Sequence, residues 1–282
     1  EAACLIEMLN RSLGSGQIKF YPGVSYRNIM VIDEEVLGGW SRLSCTPPHD
    51  IAGKHITPNM PSGKGSKILV DLMRRSSEIL ADADVNKVKV DLGENPSNMI
   101  WLWGQGKTPA IPAFQEMFGV KGGIISAVAL LKGIASAAKM DIISVPGATG
   151  YYDTNYKGKA EHCIKSLEQG CDLVLVHVEA PDEAGHNGDR AQKLLAIERF
   201  DEYVVGHIYD EIKRRGDYRL MVLPDHYTPI SLKTHVGDPV PFVISGAGIK
   251  ADDMGRLTEA EALKGYYKTV DGHELMRILT AR

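Results

Sequence analysis

The chain has 282 residues, of which 44% are hydrophobic and 24% are charged, and its formal net charge is −4. This length supports a sizeable hydrophobic core and suggests one large or two moderate domains. The acidic residues are spread along the chain and no basic block interrupts them, which argues against a nucleic-acid-binding protein. No apolar run approaches the roughly 20 residues of a membrane-spanning helix, so we expect no membrane partner.

The four cysteines indicate a reducing compartment. Cys4, Cys45, Cys163 and Cys171 are scattered, and no pair has CxxC spacing. Free thiols are typical of cytoplasmic proteins, and we therefore predict a cytoplasmic location. The chain begins at Glu1 without a methionine and runs directly into a helical pattern. For this reason we also expect it to be a fragment of a longer protein.

The first third of the chain has the pattern of a small α+β domain. Apolar spacing and turn residues predict helices over residues 2–13 and 66–80, and strands over residues 18–21, 26–32 and 85–92. The composition changes at the Gly-Glu-Asn-Pro turn that follows. We therefore predict one domain over residues 1–95 and a second over residues 96–282.

The remaining sequence alternates short apolar runs with helical patterns. An apolar run over residues 122–131 leads into a helix that ends at 139, strands are predicted over 141–145, 172–178, 219–223 and 242–245, and helices over 157–169, 191–215 and 271–280. Short buried strands separated by helices are typical of a mostly parallel sheet covered by helices on both faces. In such sheets, ligands bind at the carboxyl ends of the strands.

One segment after a predicted strand has the chemistry of a metal site. Asp182 and His186 are four positions apart in residues 180–189, with Gly185 between them. We predict that this segment is a loop that leaves the strand over residues 172–178. A hard carboxylate and an imidazole are suitable ligands for a divalent transition metal. The alternative interpretation is a capped, solvated turn.

Two further segments carry the same residue types. Asp225 and His226 directly follow a predicted strand, and His235 lies shortly before the next one. Five Asp or His side chains at connected strand ends suit a pair of ions with mixed oxygen and nitrogen ligands. Mn²⁺, Zn²⁺ and Mg²⁺ all accept such ligands, although imidazoles disfavour Mg²⁺ alone. Paired ions of this kind serve phosphoryl transfer.

Several longer motifs contain or accompany these residues. They are Glu179-Ala-Pro-Asp-Glu-Ala-Gly-His186, Pro224-Asp-His226, Thr234-His235 with Pro239-Val-Pro241, Trp101-Leu-Trp-Gly-Gln-Gly-Lys107, Pro146-Gly-Ala-Thr-Gly150 with Asp153-Thr-Asn155, and Tyr21-Pro-Gly-Val-Ser-Tyr-Arg27. Together they cover nearly the whole chain. They resemble the alkaline-phosphatase superfamily, and most closely its archaeal-type, cofactor-independent phosphoglycerate mutase branch.

The resemblance implies an alkaline-phosphatase-like metal domain that is interrupted by a smaller α+β inserted domain, which helps to bind phosphoglycerate. It also implies two divalent metal ions and no 2,3-bisphosphoglycerate. One ion is expected to take Asp182, His186 and His235, and the other Asp225 and His226. We expect Mn²⁺, with Co²⁺, Zn²⁺ and Mg²⁺ as alternatives.

The resemblance further implies that 3-phosphoglycerate and 2-phosphoglycerate are interconverted through a phosphoserine. The family's nucleophilic serine and a further aspartate belong to an amino-terminal segment that no part of this chain matches. Ser126 and Ser144 lie in apolar runs and fit a helix and a strand better than a nucleophile. We therefore expect the serine to lie outside this chain, and the chain alone to be inactive.

The anionic substrate requires cationic partners, for which Arg and Lys are best suited. Arg27 and Lys107 are the candidates, with a surface charge and a loop cation as their respective alternatives. Asp153 and Lys159 are weaker candidates, because the sequence offers them no partner.

Two other functions remain open at this point. The same scaffold serves a phosphatase or another phosphotransferase with identical metal ligands. A non-catalytic binding protein with this fold is the second alternative, although five intact ligands argue against it. We also expect that an incomplete sheet edge would favour a homo-oligomer.

Overall fold

The structure is a computed structural model that describes residues 1–24, 27–39, 42–51 and 53–281. Ser25 and Tyr26 belong to one of the motifs above and lie outside these ranges, as does the start of the strand predicted over residues 26–32, which is Tyr26. The chain divides into two compact units, Glu1–Thr108 and Pro109–Arg282. Each unit is described by itself below.

Unit 1 is built around one amphipathic helix. Its elements are α1 (Ala2–Leu13), β1 (Ile18–Val24), β2 (Arg27–Ile32), α2 (Glu34–Leu37), α3 (Ser66–Ala81), α4 (Asp84–Asp91) and short 3-10 turns at Pro48–Ile51 and Thr57–Asn59. Leu5, Leu9 and Leu13 repeat every four residues, so they share one face of α1 and pack with Leu72 and Phe20 in the core. The strands β1 and β2 form an antiparallel hairpin.

The predicted strand over residues 85–92 is wrong, because these residues form the helix α4. The alternation of valines in this segment also contains a helical spacing between Val85 and Val88. The buried Asn86 decides between the two, since its side chain donates to Leu80 O and Ser97 O and accepts from Ser97 N. These three hydrogen bonds fix the segment against α3 and the following loop.

The two compact units divide after Thr108, and the domain boundary predicted after residue 95 falls inside unit 1. The segment that contains Trp101 and Lys107 belongs to unit 1 because its side chains bond there. Trp101 Nε1 donates to Thr46 O at 2.8 Å, and Lys107 Nζ lies 2.7 Å from Glu34 Oε2. The change in composition near residue 95 thus lies 13 residues before the division between the two units.

Unit 2 has the α/β organisation that the sequence predicts. Its elements are α5 (Phe114–Phe118), β3 (Gly122–Ile125), α6 (Ala129–Ala137), β4 (Asp141–Ile142), α7 (Tyr156–Glu168), β5 (Leu173–Val176), α8 (Ala180–Asn187), α9 (Arg190–Phe200), a π-helical segment (Asp201–Gly206), α10 (His207–Arg215), β6 (Arg219–Val222), β7 (Val243–Gly246), α11 (Glu259–Ala262), a 3-10 turn (Gly272–Glu274) and α12 (Leu275–Thr280). The described helices are all too short or too polar to cross a bilayer.

The strands of unit 2 form two groups. Three are parallel in the order β4-β3-β5, which confirms the predicted parallel sheet, whereas β7 runs antiparallel to β6. The buried core beside the parallel strands includes Ile125, Ala160, Cys163, Val204 and Ile208. These residues come from β3, α7, the π-helical segment and α10, so the helices cover the sheet with apolar side chains.

Candidate metal centre

The helix α8 carries the first two candidate ligands. The prediction of a loop over residues 180–189 is wrong, because α8 begins at Ala180, after a three-residue connection from β5. Pro181 lies in its first turn, and Gly188 ends it with a left-handed φ of 69°. Asp182 and His186 are four positions apart on this helix, so their side chains lie on the same face. The helix therefore holds both ligands more rigidly than a loop would.

The connection between β6 and β7 carries the other three. Asp225 and His226 follow β6, and an antiparallel bridge between Tyr227 and Val236 folds this connection back on itself. The bridge brings His235 beside His226, and their ring centroids are 3.8 Å apart. The structure thus brings all five predicted ligands together.

The side chains of three residues converge beside α8. Asp182 Oδ2 lies 3.4 Å from His186 Nε2, and Asp182 Oδ1 lies 3.3 Å from His235 Nε2. The two Nε2 atoms of His186 and His235 are 3.0 Å apart. Ligands bound tetrahedrally at about 2.1 Å from an ion are separated by roughly 3.4 Å. One carboxylate and two imidazoles therefore fit a single divalent transition metal here.

The backbone fixes which nitrogen of His186 faces this cluster. Lys233 O accepts a hydrogen bond from His186 Nδ1 at 3.0 Å. Because Nδ1 carries the proton, Nε2 keeps its lone pair and is free to bind a metal. Lys233, whose carbonyl accepts this hydrogen bond, adopts a left-handed φ of 57°, which is uncommon outside glycine.

Asp225 and His226 form the second part of the cluster. His226 Nε2 lies 3.6 Å from Asp225 Oδ2, so a carboxylate oxygen and an imidazole nitrogen face each other. The ligand atoms of His226, Asp182 and His235 also lie within 4.8 Å of one another. His226 is thus within reach of both parts, which suits a pair of neighbouring ions.

A buried polar group lies behind the cluster, at the carboxyl ends of β3 and β5. Ser126 Oγ is 3.3 Å from His177 Nδ1 and accepts from Val128 N at 3.0 Å. Burial lowers the pKa of His177, against the opposing charge of Asp225. Ser126 is itself buried, and Ser144 follows β4 outside any regular element. The expectation that these two serines belong to a helix and a strand is wrong, because Ser126 directly follows β3 and Ser144 lies after β4.

Lys159 also belongs to this buried group. Its side chain is 0% exposed, and its Nζ donates to His177 O at 2.9 Å. Burial lowers its pKa to about 8, and the charge of Glu179 opposes this shift. This burial and the hydrogen bond to His177 O argue against Lys159 as a substrate ligand. Asp153 accepts a hydrogen bond from Thr149 Oγ1 at 2.8 Å, within its own turn.

The predicted substrate cations lie in unit 1. Arg27 is the first residue of β2 and is exposed, and Lys107 pairs with Glu34 on α2. Both partners of that ion pair are more than half exposed. An exposed ion pair of this kind contributes at most about 1 kcal/mol to stability.

Two residues that support the ligands were not found from the sequence. Thr228 is buried, and its hydroxyl donates to Asp182 Oδ1. Lys193, on α9, donates from Nζ to Thr228 O at 2.6 Å. Thr228 lies 46 positions from Asp182 in the sequence, and no periodic pattern marks either residue. Only the folded geometry reveals them.

The sequence also matches known proteins over both units. It matches the metalloenzyme superfamily over residues 23–282. A 2,3-bisphosphoglycerate-independent phosphoglycerate mutase of Methanothrix thermoacetophila is 47% identical over 282 residues, which is 100% of this chain and 70% of the relative. A probable enzyme of the same name from Geobacter sulfurreducens is 43% identical and matches 99% of this chain and 69% of the relative.

Two solved structures resemble the fold. A protein of Pyrococcus horikoshii superposes with a TM-score of 0.79 at 31% identity and covers 99% of this chain and 68% of that one. A cofactor-independent phosphoglycerate mutase of Thermoplasma acidophilum superposes with a TM-score of 0.64 at 26% identity. It covers 98% of this chain and 68% of that chain.

Proposed function

Because the chain belongs to the metalloenzyme superfamily and, within it, to the 2,3-bisphosphoglycerate-independent phosphoglycerate mutases, we propose that unit 2 carries the metal centre of an enzyme that interconverts 3-phosphoglycerate and 2-phosphoglycerate. The membership confirms the predicted family and the alkaline-phosphatase-like α/β fold. The catalytic roles of individual residues are our proposals.

The observation that carries the proposal is the convergence of Asp182, His186 and His235. We propose that these three hold one divalent ion, and that Asp225 and His226 hold a second. Their separations of 3.0 to 3.4 Å support the first assignment, and the 3.6 Å between Asp225 and His226 supports the second. Mn²⁺ is our preferred ion, because it accepts both carboxylate and imidazole ligands.

The chemistry follows from this arrangement. When bound, paired divalent ions orient and neutralise the oxygens of a phosphoryl group in transfer. Asp182 supplies negative charge in the first turn of α8, and the Lys233 carbonyl keeps His186 in the tautomer that can bind a metal. Asp225 has a side chain that is 69% exposed, so it lies where a substrate can approach. We do not assign the nucleophile to Ser126, because its hydroxyl already bonds Val128 N and faces His177.

Unit 1 is our candidate for the substrate-binding domain. A phosphate and a carboxylate are best bound by Arg and Lys, and Arg27 and Lys107 are both exposed on this unit. The exposure of both cations supports the role, because an anionic ligand in solution can reach them.

We further infer a cytoplasmic enzyme that requires no 2,3-bisphosphoglycerate, and we propose that an incomplete sheet edge would favour a homo-oligomer. All four cysteines are free thiols, which supports a reducing location. Burial raises the pKa of Cys163 to about 12, so this thiol is protected from oxidation.

A product analysis tests the proposed reaction. The protein expressed from its complete gene is supplied with 3-phosphoglycerate and Mn²⁺, without 2,3-bisphosphoglycerate, and both 2-phosphoglycerate and free phosphate are quantified. We expect 2-phosphoglycerate as the product. Release of phosphate without 2-phosphoglycerate would instead establish a phosphatase on the same scaffold.

A further inference from the structure

Thr228 lies between the two parts of the ligand cluster. Its side chain is 4% exposed, and its hydroxyl reaches one ligand from each part. Oγ1 donates to Asp182 Oδ1, and it lies 3.2 Å from His226 Nδ1. Asp182 belongs to the ion that we assign to α8, whereas His226 belongs to the ion that we assign to the loop after β6.

The number of protons determines the direction of both hydrogen bonds. A threonine hydroxyl has one proton and two lone pairs, and an ionised carboxylate only accepts. The hydroxyl proton is therefore given to Asp182, so the contact with His226 requires a proton on Nδ1 of that ring. A neutral imidazole that is protonated on Nδ1 has its lone pair on Nε2.

The ring orientation agrees with this assignment. His226 Nε2 is the atom that lies 3.6 Å from Asp225 Oδ2, so the lone pair faces the other proposed ligand of the second ion. One hydroxyl thus orients the carboxylate of the first ion and selects the binding tautomer at the second.

The backbone of Thr228 is held equally firmly. Lys193 Nζ donates to Thr228 O at 2.6 Å, which ties this residue to α9. On the other side, Gly185 of α8 packs directly against Thr228, and a Cβ at Gly185 would clash with Thr228 O. The hydroxyl therefore has a fixed position relative to α8.

We propose that Thr228 is a positioning residue that couples the two metal sites through its hydroxyl group. The inference rests on the proposed metal centre and adds a residue to it. Partners that hydrogen-bond metal ligands typically contribute about 10- to 100-fold to metal affinity. Loss of this hydroxyl should weaken both ions, because a ligand of each loses its orientation.

Two substitutions separate the hydroxyl from the volume of the side chain. Thr228→Val keeps the branched shape and removes the hydroxyl, and Thr228→Ser keeps the hydroxyl. Thr280→Val is the matched control, because Thr280 Oγ1 bonds Met276 O on α12. Titration with Mn²⁺, followed by electron paramagnetic resonance, measures the Kd of each protein.

We expect Thr228→Val to raise the Kd for Mn²⁺ by about 10- to 100-fold, while Thr228→Ser and Thr280→Val stay within about threefold of the wild type. Unchanged affinity in Thr228→Val would overturn the proposal. Equal weakening in Thr228→Ser and Thr228→Val would also overturn it, since the side-chain shape rather than the hydroxyl would then matter.

The tautomer of His226 provides a second test, which uses the metal-free wild type and therefore does not depend on whether a variant folds. Long-range ¹H–¹⁵N spectra of the metal-free wild type should show the His226 proton on Nδ1, and a proton on Nε2 would overturn the proposal. If the wild type binds no Mn²⁺, Co²⁺ or Zn²⁺, the proposed metal centre is wrong. If the wild type binds Mn²⁺ and Thr228→Val binds it with the same affinity, only the proposed role of Thr228 is wrong.

Discussion

Lys159 offers a quantitative test of the structure beneath the metal centre. It is fully buried on α7, and its ammonium supports the backbone of His177 at the end of β5. Burial lowers its pKa from the ordinary value of 10.5 to about 8. A change of this size corresponds to about 3 kcal/mol of destabilisation of the charged, folded form.

The sign of the pH dependence follows from the lowered pKa. Between pH 8 and pH 10.5 the unfolded chain binds more protons at this lysine than the folded chain does. The free energy of unfolding therefore rises with pH through this window, and the full cost is present below it. From pH 7 to pH 9, the destabilisation that Lys159 causes should decrease by about 1 kcal/mol in the free energy of unfolding.

Urea denaturation of the wild type and of Lys159→Met at pH 7 and pH 9, with chelator present, measures this contribution. The wild type should gain about 1 kcal/mol relative to the variant as the pH is raised. Lys157→Met, on the same helix and exposed, controls for the removal of one positive charge. An identical difference between wild type and Lys159→Met at both pH values would refute the reasoning.

Two further predictions concern the metal ligands and their support. His186→Ala should raise the Kd for Mn²⁺ by at least about 100-fold in a metal titration, because one of three converging ligands is removed; a small change would exclude His186 as a ligand. Lys233→Gly should bind Mn²⁺ like the wild type, since glycine readily adopts the left-handed φ, whereas Lys233→Pro should bind it more weakly because proline cannot. Equal Mn²⁺ binding by the two Lys233 variants would show that the Lys233 carbonyl does not support metal binding by His186.

The sequence predicted the chemistry of the candidate site better than its local structure. Asp182, His186, Asp225, His226 and His235 were selected because carboxylates and imidazoles follow buried strands, and the structure brings them together. Their role as ligands stays a prediction.

Local sequence signals also favour a helix at α8, where we predicted a loop. Glycine and proline suggested a loop, yet Pro181, Asp182 and Glu183 in a first turn are also typical of a helix start. Gly188 then gives the expected helix end. The same segment also contains the Asp, Gly and His residues that are typical of a metal-binding loop, and this pattern favoured the wrong prediction.

Other features depend on contacts that no local pattern encodes. The helix α4 is fixed by hydrogen bonds between Asn86 and residues on both sides of it. Thr228 is placed by Gly185 and Lys193, which lie on two different helices. Such residues are polar or small and have no periodic spacing, so they become recognisable only when the elements have been packed together.

The most direct test of the metal centre is a crystal structure of the protein grown with Mn²⁺, analysed by anomalous scattering at the manganese edge. We predict a peak about 2.0 to 2.2 Å from a carboxylate oxygen of Asp182 and from Nε2 of His186 and His235. A map without a peak at this cluster, or with manganese bound only by other residues, would contradict the account.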